Sequence, residues 1–592
     1  MSGLGVDGLR VALGDTVALD DVSLAVPAGE VTAVVGGDGA GKSTLLRVLA
    51  GRVGAVSGAI RTLPQADIGY QPSTSGVWGN LSVSENIEFV GSSYGMSAKA
   101  VRARGDELLQ RAGLADARTR LGRALSGGMR QKLGFVLAIL HEPRLILLDE
   151  PSTGVDPVSR VELWRLISAA ASGETAVLMA TTYLDEAARA ASVTALDAGA
   201  VIAAGRPDEI IAGVPGAIGM LRPGIAVPPR SWRRGVERHT WVPEGTPLDG
   251  ADPIASPDLE DALIALTLAR RAVADDEASA HPRRAARRAS AEDAASPTID
   301  EPASAAPGAV VAEGRDVTRR FGSHIAVDAV SLDVRAGEVV GLIGANGAGK
   351  TTFLRALIGL DRPDDGQVGL FGAPPDAASG RRLGYVPQGL GLFRTISVAQ
   401  NVEFFSRVYG TPEIALPPSL AAVSQRVVES IGLGRQRQLA FALALGHDPE
   451  LLVLDEPTSG VDPLSRARLW DVIHAQADAG RGVLVTTHYL QEAEQCTRLA
   501  LLSQGRLIGA GSVADLTTGV TAVLVRSPQW QQAFTALGDA GLPTMLSGRA
   551  VRVAGVDVDR VRDALRGIDA QVEQVAPTLE EAMVLRETVP AA

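Results

Sequence analysis

The chain has 592 residues, too many for one hydrophobic core, so a division into two to four domains is expected. Its 46% apolar and 21% charged residues are those of an ordinary globular protein, and a net charge of −12 weighs against nucleic acid as a main partner. The single cysteine, Cys496, excludes an internal disulfide framework, and no apolar run approaches the roughly 18 residues of a membrane span.

The opening stretch, "MSGLGVDGLRVALG", lacks the charged and apolar segments of a secretion signal. The β-branched run "VTAVV" then leads into "GGDGAGKS", Gly36 to Ser43, and on into the helical pattern "LLRVLA". Strand, glycine-rich loop and helix are the context in which G-x-x-x-x-G-K-[ST] holds phosphate. Gly36, Gly39 and Gly41 let the loop wrap its amides round an anion, and the helix start at Ser43 and Thr44 adds a favourable potential. Lys42 is expected to reach the β- and γ-phosphates of a nucleotide, and Ser43 to bind Mg2+. Further on, "LSGGMRQ" opens the helix "MRQKLGFVLAILH". Ser126 and the amides of Gly127 and Gly128 there form a helix-N-terminal anion site. "LILLDE" reads as a buried strand ending in two carboxylates, Asp149 to hold Mg2+ and Glu150 to polarise an attacking water.

Everything from "LDDVSLAVPAGEV" onwards recurs as "VDAVSLDVRAGEV", with offsets of 308 at Lys42 and Lys350, 315 at Ser73 and Gln388, and 306 at Asp149 and Asp455. The second copy supplies Gly344, Asn346, Gly347, Gly349, Lys350, Thr351 and Thr352 in its phosphate loop, with Asp455 and Glu456 at the end of "LLVLDE". Only four lysines occur, and two of them sit in these loops. Between the copies, residues 273 to 308 are rich in Ala, Pro, Ser and both charge signs, the composition of a flexible linker. Its "RRAARR" offers a surface for anionic lipid or RNA, although a solvated linker is the simpler reading. The tail after Leu516 alternates strand and helix patterns and ends in "LEEAMVL"; the first copy has a shorter counterpart ending in "LEDALIAL".

On these motifs the chain resembles the ATP-binding cassette (ABC) ATPases over nearly all of both repeats, and "LSGGMRQ" matches that family's signature. The resemblance implies an α/β fold of two P-loop NTPase (RecA-like) cassettes, each with a helical signature subdomain and an antiparallel β subdomain, plus a small C-terminal α/β domain. The expected division is cassette 1 at 1–215, its extension at 216–272, the linker at 273–308, cassette 2 at 309–515 and the C-terminal domain at 516–592. It further implies ATP and Mg2+ as ligands, and composite sites that join one cassette's phosphate loop to the other's signature.

The two copies then separate. Where the family stacks an aromatic on adenine, the second has Phe321 and the first Leu13; such stacking is worth about 0.5–1.5 kcal/mol between protein aromatics. The family's Mg2+-sensing glutamine matches Gln388, whose aligned position in the first copy is Ser73, with Gln71 two residues early. Its switch histidine matches His488, against Thr182. The second copy lacks LSGG, by one of two registers. From Leu114 to Asp149 is 35 residues and from Leu433 to Asp455 is 22, so either the turn "ADARTRLGRALSG" is deleted or "IGLG" stands opposite "LSGG" with Gly432 for Ser126. Every loss falls on one composite site. The expectation is one hydrolytic site, using Glu456, His488, Gln388, Asp455 and Thr351 with Ser126 to Gly128, and one degenerate site that keeps Glu150.

"STGVDP", "TSGVDP", "TTYLDEA" and "TTHYLQEA" are similar to the cassettes of drug and lipid exporters. They imply a subunit peripheral on the cytoplasmic face of the membrane, a separate integral-membrane permease, and no nucleic acid. A soluble tandem ATPase acting on ribosomes is the alternative; "EPTNHLD"-like motifs and a long charged helical linker, expected of that type, are missing. A tandem sugar-importer ATPase fits "GVDP" and "YLDEA" poorly. Pairing of the cassettes within one chain or between two is open, since a 36-residue linker spans about 30–36 Å.

Overall fold

In a computed structural model of the chain, the described residues are 3–588 apart from 15, 154, 156, 172, 223–224, 236, 256, 281–307, 345–346, 412–413, 488 and 548–549. Each repeat is built on a six-stranded sheet. In the first its order is Ile68–Gln71, Leu145–Asp149, Ala176–Thr181, Val31–Val35, Ser192–Asp197 and Ala200–Gly205, all parallel except the last, antiparallel edge strand. The second repeats it with Leu383–Val386, Leu451–Asp455, Gly482–Thr487, Val339–Gly344, Arg498–Ser503 and Arg506–Gly511. A parallel sheet covered on both faces needs strands without polar alternation. "LILLD" and "LLVLD" meet that need, and every residue of both strands is buried.

A three-stranded antiparallel sheet accompanies each, in the order Thr16–Val26, Leu4–Leu13, Ser57–Arg61 and His324–Arg335, Val310–Phe321, Asp365–Leu370. The duplication reaches the backbone. Non-glycine residues with positive φ recur in pairs at Asp21 and Ala329, Ser75 and Leu390, Glu142 and Asp448, Glu150 and Glu456, and Ala198 and Gln504.

The helical subdomains diverge. In the first, helices Val83–Ser93 and Ala98–Arg111 precede helix Gly127–Ile139. In the second, among the described residues, Val398–Tyr409 is followed by the short turns Pro418–Ala421 and Val428–Ser430 before helix Leu433–Leu445. Isolated bridges join Ser82 to Leu121 and Ser397 to Val427, spans of 39 and 30 residues, so nine residues are missing between them. Past that point the offset is a constant 306. The shortfall therefore removes most of the counterpart of Ala98–Arg111, and the turn that opens the signature helix is retained. Ile414, Leu420 and Val423 close the smaller core in its place.

The tails pack out of sequence order. Of the described residues, those within Met1–Ala217, Ile254–Thr267 and Gly519–Ala592 form one compact unit, and those within Ile218–Pro253 and Leu268–Thr518 form another. The C-terminal tail thus belongs to the unit of the first cassette and residues 218–253 of the first tail to that of the second, while Ile254–Thr267, with Leu259, Ala262 and Leu263, stays in the core of its own cassette. The C-terminal tail is a β-α-β-β-α-β fold with sheet order Thr544–Ser547, Ala550–Ala554, Ala522–Arg526, Gln571–Val575 and helices Trp530–Asp539 and Val558–Ala564. The first tail repeats that order with Ser231–Arg234, Glu237–Val242, Ala217–Leu221 and Ala251–Pro253, and has no helix between its strands among the described residues.

Candidate active site

The carboxyl ends of neighbouring parallel strands collect the motif residues. In the first cassette Asp149 lies beside Ala180, and Val35, which leads into the phosphate loop, lies beside Thr181. In the second, Asp455 pairs with Thr486 and Ile343 with Thr487. Open α/β sheets bind ligands at this edge.

The helices Lys42–Leu49 and Lys350–Leu357 both start from a left-handed glycine, Gly41 (φ 103°) and Gly349 (φ 98°), without a side-chain cap. A Cβ on Gly41 would sit 2.7 Å from the Ala18 carbonyl oxygen, and one on Gly349 would sit 2.3 Å from that of Ala326, so the loop admits no side chain there. Lys42 Nζ donates to the carbonyls of Gly36 (2.8 Å) and Gly37 (3.1 Å), and Lys350 Nζ to that of Gly344 (2.7 Å). Burial pulls the Lys350 ammonium below its usual pKa, against the pull of Glu456 and Asp455. Gly36, Gly39, Thr44, Gly347 and Thr352 flank these groups in the same loops and helix starts, whereas Asn346 lies outside the described residues.

Ser43 Oγ donates to Asp149 Oδ1 at 2.8 Å, and Thr351 Oγ1 to Asp455 Oδ2 at 3.1 Å. Burial raises the pKa of both aspartates. A hydroxyl beside a buried carboxylate is an oxygen donor set suited to a hard divalent cation, whose charge would favour the ionised carboxylate against the effect of burial. The next residue in each cassette is left-handed, Glu150 at φ 49° and Glu456 at φ 51°, a conformation that costs a non-glycine residue on the order of 1 kcal/mol or more. It is held by hydrogen bonds to the neighbouring strand, the Glu150 amide donating to Ala180 O and the Glu456 amide to Thr486 O.

Here the two glutamates part company. Glu456 Oε2 accepts from Gln388 Nε2 at 2.9 Å. Glu150 instead lies 3.6 Å from Lys42 Nζ and accepts from Thr153. Ser73 is exposed, and Gln71 is fully buried, donating to Gln131 Oε1 at 2.6 Å in the signature helix. The early glutamine therefore points away from the acidic pair.

Thr182 is buried at the first switch position, while His488 lies outside the described residues. Its neighbours are fixed: Thr487 Oγ1 donates to the buried Glu492 at 2.6 Å and receives the Tyr489 amide at 3.0 Å. Thr458, two residues past Glu456, also donates to Glu492. Thr181 and Glu186 repeat the arrangement at 2.8 Å. Sequence reasoning did not single out these carboxylates, although Thr and Glu stand five apart in both "TTYLDEA" and "TTHYLQEA".

Ser126 caps the signature helix, accepting from the Met129 amide at 3.3 Å, and presents the starts of Gly127 and Gly128. At the same place in the second cassette Gly432 (φ 77°) precedes helix Leu433–Leu445 and supplies no cap, and Leu433 and Gly434 follow it. The fold thus adopts the register with Gly432 opposite Ser126; the hydroxyl is lost and the helix start is kept. Phe321 and Leu13 close equivalent strands and are both about half exposed.

The chain matches the ABC transporter family over residues 19–153 and 327–459. It is 33% identical over 562 residues to a probable multidrug ABC transporter ATP-binding protein, YbhF, of Escherichia coli (strain K12), covering 88% of this chain and 95% of that one. It is 35% identical over 269 residues to the Nod factor export ATP-binding protein I of Burkholderia lata, covering 43% of this chain and 88% of the relative. The archaeal ribosome recycling factor aABCE1, solved with ribosomal stalk protein aP1, is 17% identical at a TM-score of 0.55 over 95% of this chain and 98% of that one, a likeness of fold. With two phosphate loops, two acidic strand ends and a signature helix set on duplicated sheets, the chain belongs to the ATP-binding proteins of the ABC transporter family.

Proposed function

We propose that this protein is the ATP-hydrolysing, energy-coupling subunit of an exporter, with one working site and one degenerate site. The carrying observation is the contact of Gln388 with Glu456 in the second cassette, set against the burial of Gln71 away from Glu150 in the first. In the working site Lys350 and the Gly344 to Thr351 loop bind the phosphates of ATP, and the N-terminus of the signature helix at Ser126 to Gly128 contributes from the other cassette. Glu456 is the general base for the attacking water, Gln388 orients it, and His488 contacts the γ-phosphate. Thr351 and Asp455 hold Mg2+, which neutralises phosphate charge when bound. The other site keeps Lys42, Ser43, Asp149 and Glu150 but faces Gly432 and Leu433, and it mainly binds ATP.

Among the described residues no helix is long and apolar enough to cross a membrane, so the transported molecule is met by a separate permease. Two exposed edge-to-face aromatic pairs, Trp78 with Phe89 and Phe393 with Phe404, lie beside the two Ser73 and Gln388 loops and suit apolar helices of that partner. The multidrug and Nod factor export relatives support the outward direction. We place the protein on the cytoplasmic face of the membrane, where ATP is available.

The test pairs two variants. Lys350→Ala should abolish nearly all ATP hydrolysis, while Lys42→Ala should leave a measurable fraction; equal losses in folded proteins would remove the asymmetry. Co-purification with a membrane protein from the native host supports the exporter, and co-sedimentation with ribosomes instead would overturn it.

A further inference from the structure

The first cassette holds the C-terminal tail, and the second holds the strands of the first tail within Ile218–Pro253, with the same two positions of their fold, 306 residues apart. In the first cassette these are Arg165 and Arg189. Arg165 Nη2 donates to the Thr544 carbonyl at 2.6 Å and to its hydroxyl at 2.9 Å. Arg189 Nη2 donates to Glu580 at 2.7 Å, in a pair buried to about nine-tenths on both sides. In the second cassette they are Asp471 and Gln495. Asp471 pairs with Arg238 at 2.9 Å, and Gln495 Oε1 accepts the Gly235 amide at 2.8 Å. Nearby, Arg233 reaches Asp478 at 3.3 Å, and the strand Ser231–Arg234 lies against helix Pro463–Asp478.

The chemistry is reversed between the two seats. The first presents two guanidinium groups to a tail bearing Glu580; the second presents a carboxylate and an amide to a tail bearing Arg233 and Arg238. Returned to its own cassette, the first tail would bring Arg238 towards Arg165, a like-charge meeting at a desolvated contact. The C-terminal tail on its own cassette would still find Arg466 where Arg160 stands, but would exchange the ion pair of Glu580 with Arg189 for the neutral Gln495. Charge therefore assigns each tail to the opposite seat.

We propose that this exchange is a self-latch: each tail is the specific docking partner of the other cassette of the same chain, so that one chain is a complete two-cassette particle that needs no second copy. The occupant of each seat is a segment of this sequence, joined to it by peptide bonds at 217–218, 253–254, 267–268 and 518–519, where the chain passes from one unit to the other.

The experiment inserts a specific protease site into the full chain between residues 290 and 295, cuts the purified protein and passes it over a sizing column without nucleotide. The latch predicts that both fragments elute together at the position of one uncut chain and stay together on a roughly 100-fold dilution. Separation of the fragments, or elution as a pair of chains, overturns it. Asp471→Arg should raise the released fraction at least 10-fold, and Arg238→Asp added to it should restore retention. Retention unchanged in the single variant, or release unchanged in the double, overturns the charge assignment. If Asp471→Arg does not accumulate as folded protein, Arg165→Ala with Arg189→Ala tests the other seat by the same release.

Discussion

The two cassettes share a sheet, a phosphate loop, a left-handed glutamate and a carboxylate-held threonine before the switch position, and differ in what reaches the reacting groups from outside that frame. The shared features are backbone: the glycine that no side chain can replace, and the amide hydrogen bonds that hold Glu150 and Glu456 to the neighbouring strand. The differences are single side chains: Gln388 on Glu456 against the exposed Ser73, and Ser126 against Gly432. A duplicated site can lose its chemistry without losing its fold, because the frame is stabilised by burial and hydrogen bonding that those side chains do not supply.

The sharpest way to break the comparison is at the bases. Glu456→Gln should lower steady-state ATP hydrolysis by roughly 100-fold or more, and Glu150→Gln by less than about 2-fold; a large loss from Glu150→Gln would make the first site a working one. Next comes His474, which sits under the first tail where the first cassette has Ser168. Burial lowers its pKa to about 4, helped by Arg233 and Arg238 and opposed by Asp478 and a hydrogen bond with Gln495. The folded imidazole binds a proton less readily than the unfolded one. Its contribution to stability is therefore complete above about pH 6.5 and is lost as the pH falls from there towards 4. Between pH 7 and pH 5 that amounts to about 2 kcal/mol. Unfolding measured at both pH values should show this loss in the parent and not in His474→Gln.

Gln71→Ala should destabilise the protein by about 1–3 kcal/mol, since Gln131 Oε1 loses its buried donor, with little change in turnover beyond that of the weakened fold. Gln388→Ala should do the reverse, lowering turnover and leaving the thermal midpoint in place; together they separate a structural glutamine from a functional one. The smallest effects belong to the signature. Ser126→Ala removes a cap worth about 1 kcal/mol and should also slow hydrolysis. Gly432→Ser should restore no activity and cost about 1 kcal/mol or more, because its backbone (φ 77°, ψ 152°) lies in a region that essentially only glycine occupies.

Much of the site was legible because phosphate binding needs glycines, a lysine and a hydroxyl at fixed spacing, and buried parallel strands need uninterrupted apolar runs. The degraded positions could be read by aligning one half on the other. The place of the missing residues could not, because the spacing from Leu114 and Leu433 to the acidic strands admits two registers; the helix start at Gly432 and the bridge at Val427 decide between them. The Thr and Glu pairs of the switch segments look like ordinary surface polarity until their burial is known. The tail exchange leaves no local pattern at all. Each tail follows its own cassette in the sequence, and the partners of Arg165 and Arg189 lie 379 and 391 residues away.

That separation sets a timetable for biosynthesis. A ribosome adding about 5–20 residues per second needs roughly 20–80 s to pass from Arg189 to Glu580. Throughout that interval the first cassette, though translated first, presents Arg160, Asp185 and Arg189 without the glutamate that balances them. The first cassette is thus completed last, and a chain that stops short of its final helix leaves the earliest-made half unfinished.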